Sequence, residues 1–232
     1  MNGVLFKKGL NGNVLKIIAL IAMTVDHVGA LMYPHNDVLR IIGRIAMPIF
    51  AFMIAEGCFY ARKKLKYFLL VFGLGAVCVV GYFIAKKRFY LNILITFSFS
   101  ILIIYALNYA LNKKRASAYL LPALAVLSSA FVNFAMPKIT GNSGWEVDYG
   151  FFGTLLPVFI YIFKDFRLKL VALCLGLTLI ALDFGDVQWW AYLSLVFMLF
   201  YDGTRGKLNL KYLFYVYYPV HFVVIYGIYI LL

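Results

Sequence analysis

Polar residues interrupt this chain rarely and in clusters. Between them the apolar residues run in unbroken blocks, neither alternating nor confined to one helical stripe. Several blocks approach or exceed the ~20 residues with which a helix crosses about 30 Å of hydrocarbon. Blocks bounded by charge runs predict about nine spans, with eight to ten as the range. They are Leu15–Tyr33, Val38–Tyr60, Tyr67–Ala85, Tyr90–Leu111, Tyr119–Met136, Tyr149–Phe163, Leu168–Phe184, Val187–Tyr201 and Tyr212–Leu231. The sixth and eighth are short enough to be tilted, broken or only partly inserted. The pattern predicts an all-α fold, a polytopic transmembrane helical bundle forming one domain over residues 1–232. It shows no internal repeat and no Ser- or Pro-rich linker.

Composition agrees with that reading. Of 232 residues 65% are apolar and 13% charged, against roughly 45–50% and about 25% in soluble domains. The net charge of +13 would point to nucleic acid in a soluble protein. Here the cations stand in short runs between apolar blocks, a distribution that sets membrane orientation, and nucleic acid is not the expected partner. One side collects Lys7, Lys8, Arg62–Lys66, Lys113–Arg115, Lys164, Arg167, Lys169, Arg205, Lys207 and Lys211. The other holds Lys86–Arg88 and Lys138. The cell membrane with a cytoplasmic N-terminus is therefore expected, and Lys86–Arg88 is the exception to the rule. Asp26 and His27 in the first block make it a retained helix rather than a cleaved signal. Cys58, Cys78 and Cys174 lie far apart in apolar segments and read as packing residues. The connection from Pro137 to Asp148, with Gly141, Asn142, Ser143 and Gly144, is turn-rich.

Ionisable residues inside apolar spans cost about 2.5–3.5 kcal/mol each on insertion scales, so they are paired or functional. The first span carries Asp26 and His27, the second Arg40, Arg44 and Glu56, the last His221. Asn92 and Thr96 lie in the fourth. Arg40 and Arg44 are one turn apart on one face, and the short link Pro34–Asp37 makes the first two spans antiparallel neighbours. Adjacent helical residues point about 100° apart, so Asp26 is expected to pair with Arg44 and leave His27 free in a cavity. Phe214, Tyr217, Tyr218 and His221 recur on one face of the last span. Two histidines flanked by arginines can make an acid/base centre. Each feature also has a structural reading: an interhelical ion pair as glue, a hydrogen-bonded His221, an aromatic stripe as packing, Glu56 paired with a cytoplasmic lysine, His35 simply solvated. Nucleotide, zinc-protease and nucleophile-elbow motifs are absent. Gly73-x-Gly75 reads as close helix packing.

The order of these residues resembles the TraX family. Thr24-Val25-Asp26-His27-Val28-Gly29-Ala30 is similar to the family's opening helix. Leu39-Arg40-Ile41-Ile42-Gly43-Arg44-Ile45-Ala46-Met47-Pro48-Ile49-Phe50, running on to Glu56-Gly57, resembles its most distinctive block. Asn92-Ile93-Leu94-Ile95-Thr96, Asp148-Tyr149-Gly150 and Tyr218-Pro219-Val220-His221 resemble later elements in the same order. The resemblance implies membrane acylation. The family's namesake acetylates a pilin N-terminus, and the wider group of membrane acyltransferases uses cytoplasmic acyl-CoA and an acceptor at the outer face. His27 is then the candidate base, with Asp26, Arg40, Arg44, Glu56 and His221 lining the site.

Taken together, the expected reaction is transfer of an acyl group, acetyl first, from acetyl-CoA to an amine or hydroxyl. The acceptor would be a protein N-terminus or a surface glycan. His27 would remove the acceptor's proton, with His221 as second candidate. Arg44, Tyr218 or Asn92 would hold the oxyanion, with Arg40 and Thr96 in the surrounding site and Arg62–Lys66 offering cations to the coenzyme phosphates. No metal and no covalent cysteine intermediate are expected. The rival is a proton-coupled transporter or channel using the same buried charges, and a third reading is a non-catalytic assembly or lipid-binding protein.

Overall fold

A computed structural model describes residues 4, 9–141, 144–207 and 210–231. The expectations for Lys7, Lys8, Asn142 and Ser143 lie outside the described residues, as do the side chains of Lys211, Tyr212 and Phe214. The chain is a membrane protein built as a helical bundle. Among the described residues, five helical stretches are long and apolar enough to cross a bilayer: Gly12–Met32, Asp37–Tyr60, Lys64–Lys86, Ile93–Lys113 and Ala116–Ile139. They coincide with the first five predicted spans. Gly150–Ile162 and Tyr215–Leu231 are shorter apolar helices. The eighth predicted span is broken, as its length suggested: a 3-10 helix at Asp186–Leu193 followed by a six-residue α-helix.

The chain divides into two compact units, Met1–Met53 with Phe163–Leu232, and Ile54–Ile162. The first unit begins with α1 (Gly12–Met32), capped by the Asn11 side chain, which accepts from the Asn13 and Val14 amides. Leu10 pairs with Tyr201 as an isolated parallel bridge, and the Gly12 and Asn13 amides donate to the Thr204 and Arg205 carbonyls. Next come α2 (Asp37–Gly43) and α3 (Ala46–Tyr60), whose residues up to Met53 belong to this unit. The second span is thus two helices with a break at Arg44 and Ile45.

Two glycines permit the tight α1–α2 crossing. A Cβ on Gly29 would lie 2.6 Å from the Leu39 Cβ, and one on Gly43 would overlap the Asp26 side chain. The chain returns to this unit in α9 (Phe166–Phe184), which Asp165 caps and Gly185, at φ +85°, ends. The 3-10 helix Asp186–Leu193, α10 (Ser194–Leu199) and α11 (Lys211–Leu231) complete it. Phe52, Phe166 and Tyr201 form its aromatic core. Lys169, counted above among loop cations, is instead buried with its Nζ 5.8 Å from the centre of the Phe52 ring.

The second unit continues with the rest of α3, then α4 (Lys64–Lys86), β1 (Phe89–Leu91), α5 (Ile93–Lys113) and a 3-10 turn at Ala116–Tyr119. From there α6 (Leu120–Ala130) runs through a π-helical segment, Phe131–Ala135, into α7 (Met136–Ile139). Strand β2 (Trp145–Val147) and α8 (Gly150–Ile162) close it. The central helix is α5, packed on α4, α6 and α8. Small polar residues bind it to its neighbours: Ser100 Oγ donates to Thr154 O at 2.6 Å, and Thr96 Oγ1 to Asp148 O at 2.8 Å. Such hydrogen bonds between helices substitute for the missing hydrophobic drive in lipid. Outward faces carry apolar side chains, among them Leu69, Val77, Val80 and Ile84 on α4.

Candidate active site

Helix α1 turns Asp26 toward α2. Asp26 Oδ2 lies 2.9 Å from Arg40 Nη1 and Oδ1 lies 2.7 Å from Arg44 Nη2. Arg40 Nη1 also donates to the Asp26 carbonyl at 3.3 Å. Arg44 Nε donates to Arg40 O at 3.3 Å and its Nη1 to Gln188 Oε1 at 3.2 Å. Asp26 and Arg44 are 13% and 12% exposed, Arg40 32%. Two guanidiniums around one carboxylate leave this half-buried cluster with a local charge of +1. Charges withdrawn from water persist only when paired and hydrogen-bonded, and the α1–α2 crossing supplies both conditions.

His27, the next residue, faces α11. Its Nδ1 lies 2.9 Å from His221 Nε2, and His221 Nδ1 lies 3.1 Å from the Tyr217 carbonyl oxygen. A carbonyl only accepts, so His221 Nδ1 carries the hydrogen. With both rings neutral, His221 Nε2 is then an acceptor and His27 Nδ1 the donor to it. The remaining lone pair falls on His27 Nε2, which makes no hydrogen bond to a described residue.

The surroundings fix both rings. Tyr217 stacks on His221 with 6° between ring planes, and its hydroxyl donates to Thr24 Oγ1 at 2.6 Å. The Thr24 hydroxyl in turn donates to Leu20 O. Phe222 lies 4.4 Å from His27 and 4.3 Å from His221, centre to centre. Tyr218 is buried, its ring at 62° to His221.

The structure therefore joins Asp26, His27, Arg40, Arg44, Tyr218 and His221 in the first unit. Two details differ from the sequence reading. Asp26 serves both arginines rather than Arg44 alone, and His27 is held by His221 rather than free in a cavity. Glu56, Asn92 and Thr96 belong to the second unit, and Glu56 is buried there in α3. Asn92 caps α5, accepting from Leu94 N, and donates to Gly75 O at 2.8 Å. Thr96 bonds the Asp148 carbonyl, and both are explained by helix packing. Gln188, Thr24 and Phe222 were missed because a search for charge passes over neutral groups. The one signal for Gln188 was an amide inside an otherwise apolar block.

A family model described as TraX protein matches residues 11–229. Among curated relatives, an uncharacterized protein of Rickettsia prowazekii is 44% identical over 61 residues, which are 26% of this chain and 23% of that protein's length. A probable fimbrial assembly protein, FimC of serogroup H1, from Dichelobacter nodosus is 29% identical over 238 aligned positions, covering 89% of this chain and 91% of the relative. No solved structure gives a significant match.

Proposed function

The chain belongs to the TraX family, and on that premise we propose that it is an integral membrane acyltransferase. It moves an acyl group, acetyl first, from cytoplasmic acyl-CoA to an amine or hydroxyl near the outer face. Its N-terminus is cytoplasmic and its membrane is the cell membrane, in keeping with the cation distribution. The name of the Dichelobacter relative, a probable fimbrial assembly protein, favours a protein N-terminus of a surface fibre over a glycan as acceptor.

The observation that carries this reading is the His27–His221 pair, whose hydrogen bonds leave one basic nitrogen, His27 Nε2, directed away from the dyad. In the forward step an acceptor nitrogen or oxygen attacks the thioester carbonyl carbon while His27 Nε2 takes its proton. The carbonyl oxygen becomes negative beside the Asp26–Arg40–Arg44 cluster, whose excess positive charge stabilises it. As the C–S bond breaks, coenzyme A leaves as thiolate and recovers the proton from His27. The products are the acylated acceptor and the free thiol. His221 does not touch the substrate. It holds His27 in the productive tautomer, and its own far nitrogen ends on a backbone carbonyl rather than on another titratable group, which disfavours a relay across the membrane. Asn92 is committed to capping α5, so the oxyanion role passes to the cationic cluster.

A ligand that binds only the folded protein raises its unfolding temperature with concentration. Acetyl-CoA should stabilise the detergent-purified protein saturably. His27→Ala should keep that stabilisation and lose thiol release by about 10²–10⁴-fold. Absence of stabilisation by acetyl-CoA and by longer acyl-CoAs would remove the donor and leave a transporter as the better reading.

A further inference from the structure

One polar group of the first unit has no part in that mechanism. Gln188 lies in the 3-10 helix Asp186–Leu193 and is 3% exposed. Its Oε1 accepts from Arg44 Nη1 at 3.2 Å. A guanidinium has only donors, so Arg44 fixes which way the amide is turned: oxygen toward Arg44, nitrogen away from it. That Nε2 is buried and has no hydrogen-bond partner among the described residues. Buried donors are almost always paired, because an unpaired one forfeits its water without recompense. Arg44 also draws electron density toward Oε1, which makes Nε2 a stronger donor than an isolated amide.

The position is therefore a fixed, polarised, donor-only group at the end of a short network. Gln188 holds Arg44, Arg44 holds Asp26, and Asp26 is joined by one peptide bond to His27. The partner such a group takes must be a hydrogen-bond acceptor. Near a local charge of +1, the oxygen that benefits most is one that gains negative charge. In an acyl thioester that atom is the carbonyl oxygen.

We propose that Gln188 Nε2 donates a hydrogen bond to the carbonyl oxygen of the acyl thioester, so that Gln188 is a substrate-contacting residue of the transfer site. This rests on the acyltransferase reading and adds to it a neutral donor that no charge pattern reveals. No bond is made or broken at Gln188, and the amide keeps its hydrogens throughout.

The test uses the full chain in detergent with acetyl-CoA, following free thiol with water and with a dipeptide amine as acceptors. Gln188→Glu keeps the length and the acceptor for Arg44 and removes the donor. It should fold as stably as the parent and bind acetyl-CoA with unchanged KM, while kcat falls about 100-fold, the usual effect of losing one oxyanion donor. Gln188→Met, apolar and of similar length, removes the donor without adding a charge beside Arg44; it should show the same loss, which assigns that loss to the donor, and it serves if the glutamate variant fails to fold. Turnover within twofold of the parent in either folded variant overturns the assignment while the acyltransferase stands. A rise in KM at unchanged kcat also overturns it, by moving the contact to another part of the donor. If the parent neither binds nor cleaves acetyl-CoA, the acyltransferase reading and this inference fall together.

Discussion

Asp26 gives one carboxylate oxygen to each of two arginines, and removing its charge isolates both. Breaking a buried ion pair from one side costs more than the pair itself contributes, typically about 3–5 kcal/mol. Asp26→Asn should lower stability by about that amount in equilibrium denaturation in micelles. A loss under about 1 kcal/mol would mean the cluster is wetter than its burial indicates. His221 makes a different demand. His221→Ala leaves His27 without the acceptor that orients it, so kcat should drop by about 10²-fold or more, while acetyl-CoA still stabilises the protein. Parent-like turnover would show that His27 needs no partner. At this scale the sequence revealed the charged members well, since a charge inside an apolar block announces itself. The 100° step between neighbours set Asp26 toward Arg44 and turned His27 elsewhere, but that His27 meets His221 could not be read until α11 was in position. Nor could the sequence reveal Gln188, whose importance comes from its surroundings and not from its residue type.

Among the elements, glycine separates positions that look alike in sequence. Gly43 has the Asp26 side chain where its own Cβ would be, whereas Gly73 has nothing within 4 Å. Gly43→Ala should therefore push α2 off α1, cost about 1–3 kcal/mol and abolish transfer. Gly73→Ala should be neutral or mildly stabilising, because helical alanine is favoured by about 1 kcal/mol. Equal melting temperatures for the two variants would contradict the crossing described above. Gly73-x-Gly75, read as one packing motif, is thus half right: Gly75 meets Ile95 and its carbonyl accepts from Asn92, while Gly73 stands open. Helix existence was legible from apolar blocks. The break at Arg44–Ile45 was hidden, because the break residues are as apolar as their neighbours apart from Arg44 itself.

Two other local features were also invisible from pattern. The parallel pairing of β1 with β2, three residues each, is too short to alternate. The π-helical segment Phe131–Ala135 runs into a residue that cannot complete its bonds. In the π register the Val132 carbonyl would look to residue 137, which is a proline with no N–H. The indole of Trp145 donates to it instead, at 3.0 Å.

For the whole molecule, the orientation remains a proposal with a direct check. Single labelling sites in the Arg62–Lys66 turn should be reached only from the cytoplasm, and sites at Lys86–Arg88 only from outside. Both turns are exposed, so access is governed by the membrane and not by the fold. Labelling of the two turns from the same side would redraw the third span. The count of nine spans came from apolar length alone, which cannot tell a membrane-crossing helix from a buried one. The described residues hold five stretches of sufficient length and apolarity, and α9, though 19 residues long, carries Arg167, Lys169 and Asp183.

The two histidines that meet are 194 residues apart, one near the beginning of the chain and one near its end. During synthesis the aspartate–arginine cluster can assemble as soon as α2 follows α1, but the imidazole pair must wait for α11. A chain interrupted before α11 thus already has its aspartate paired with both arginines, while His27 still lacks the ring that sets its tautomer.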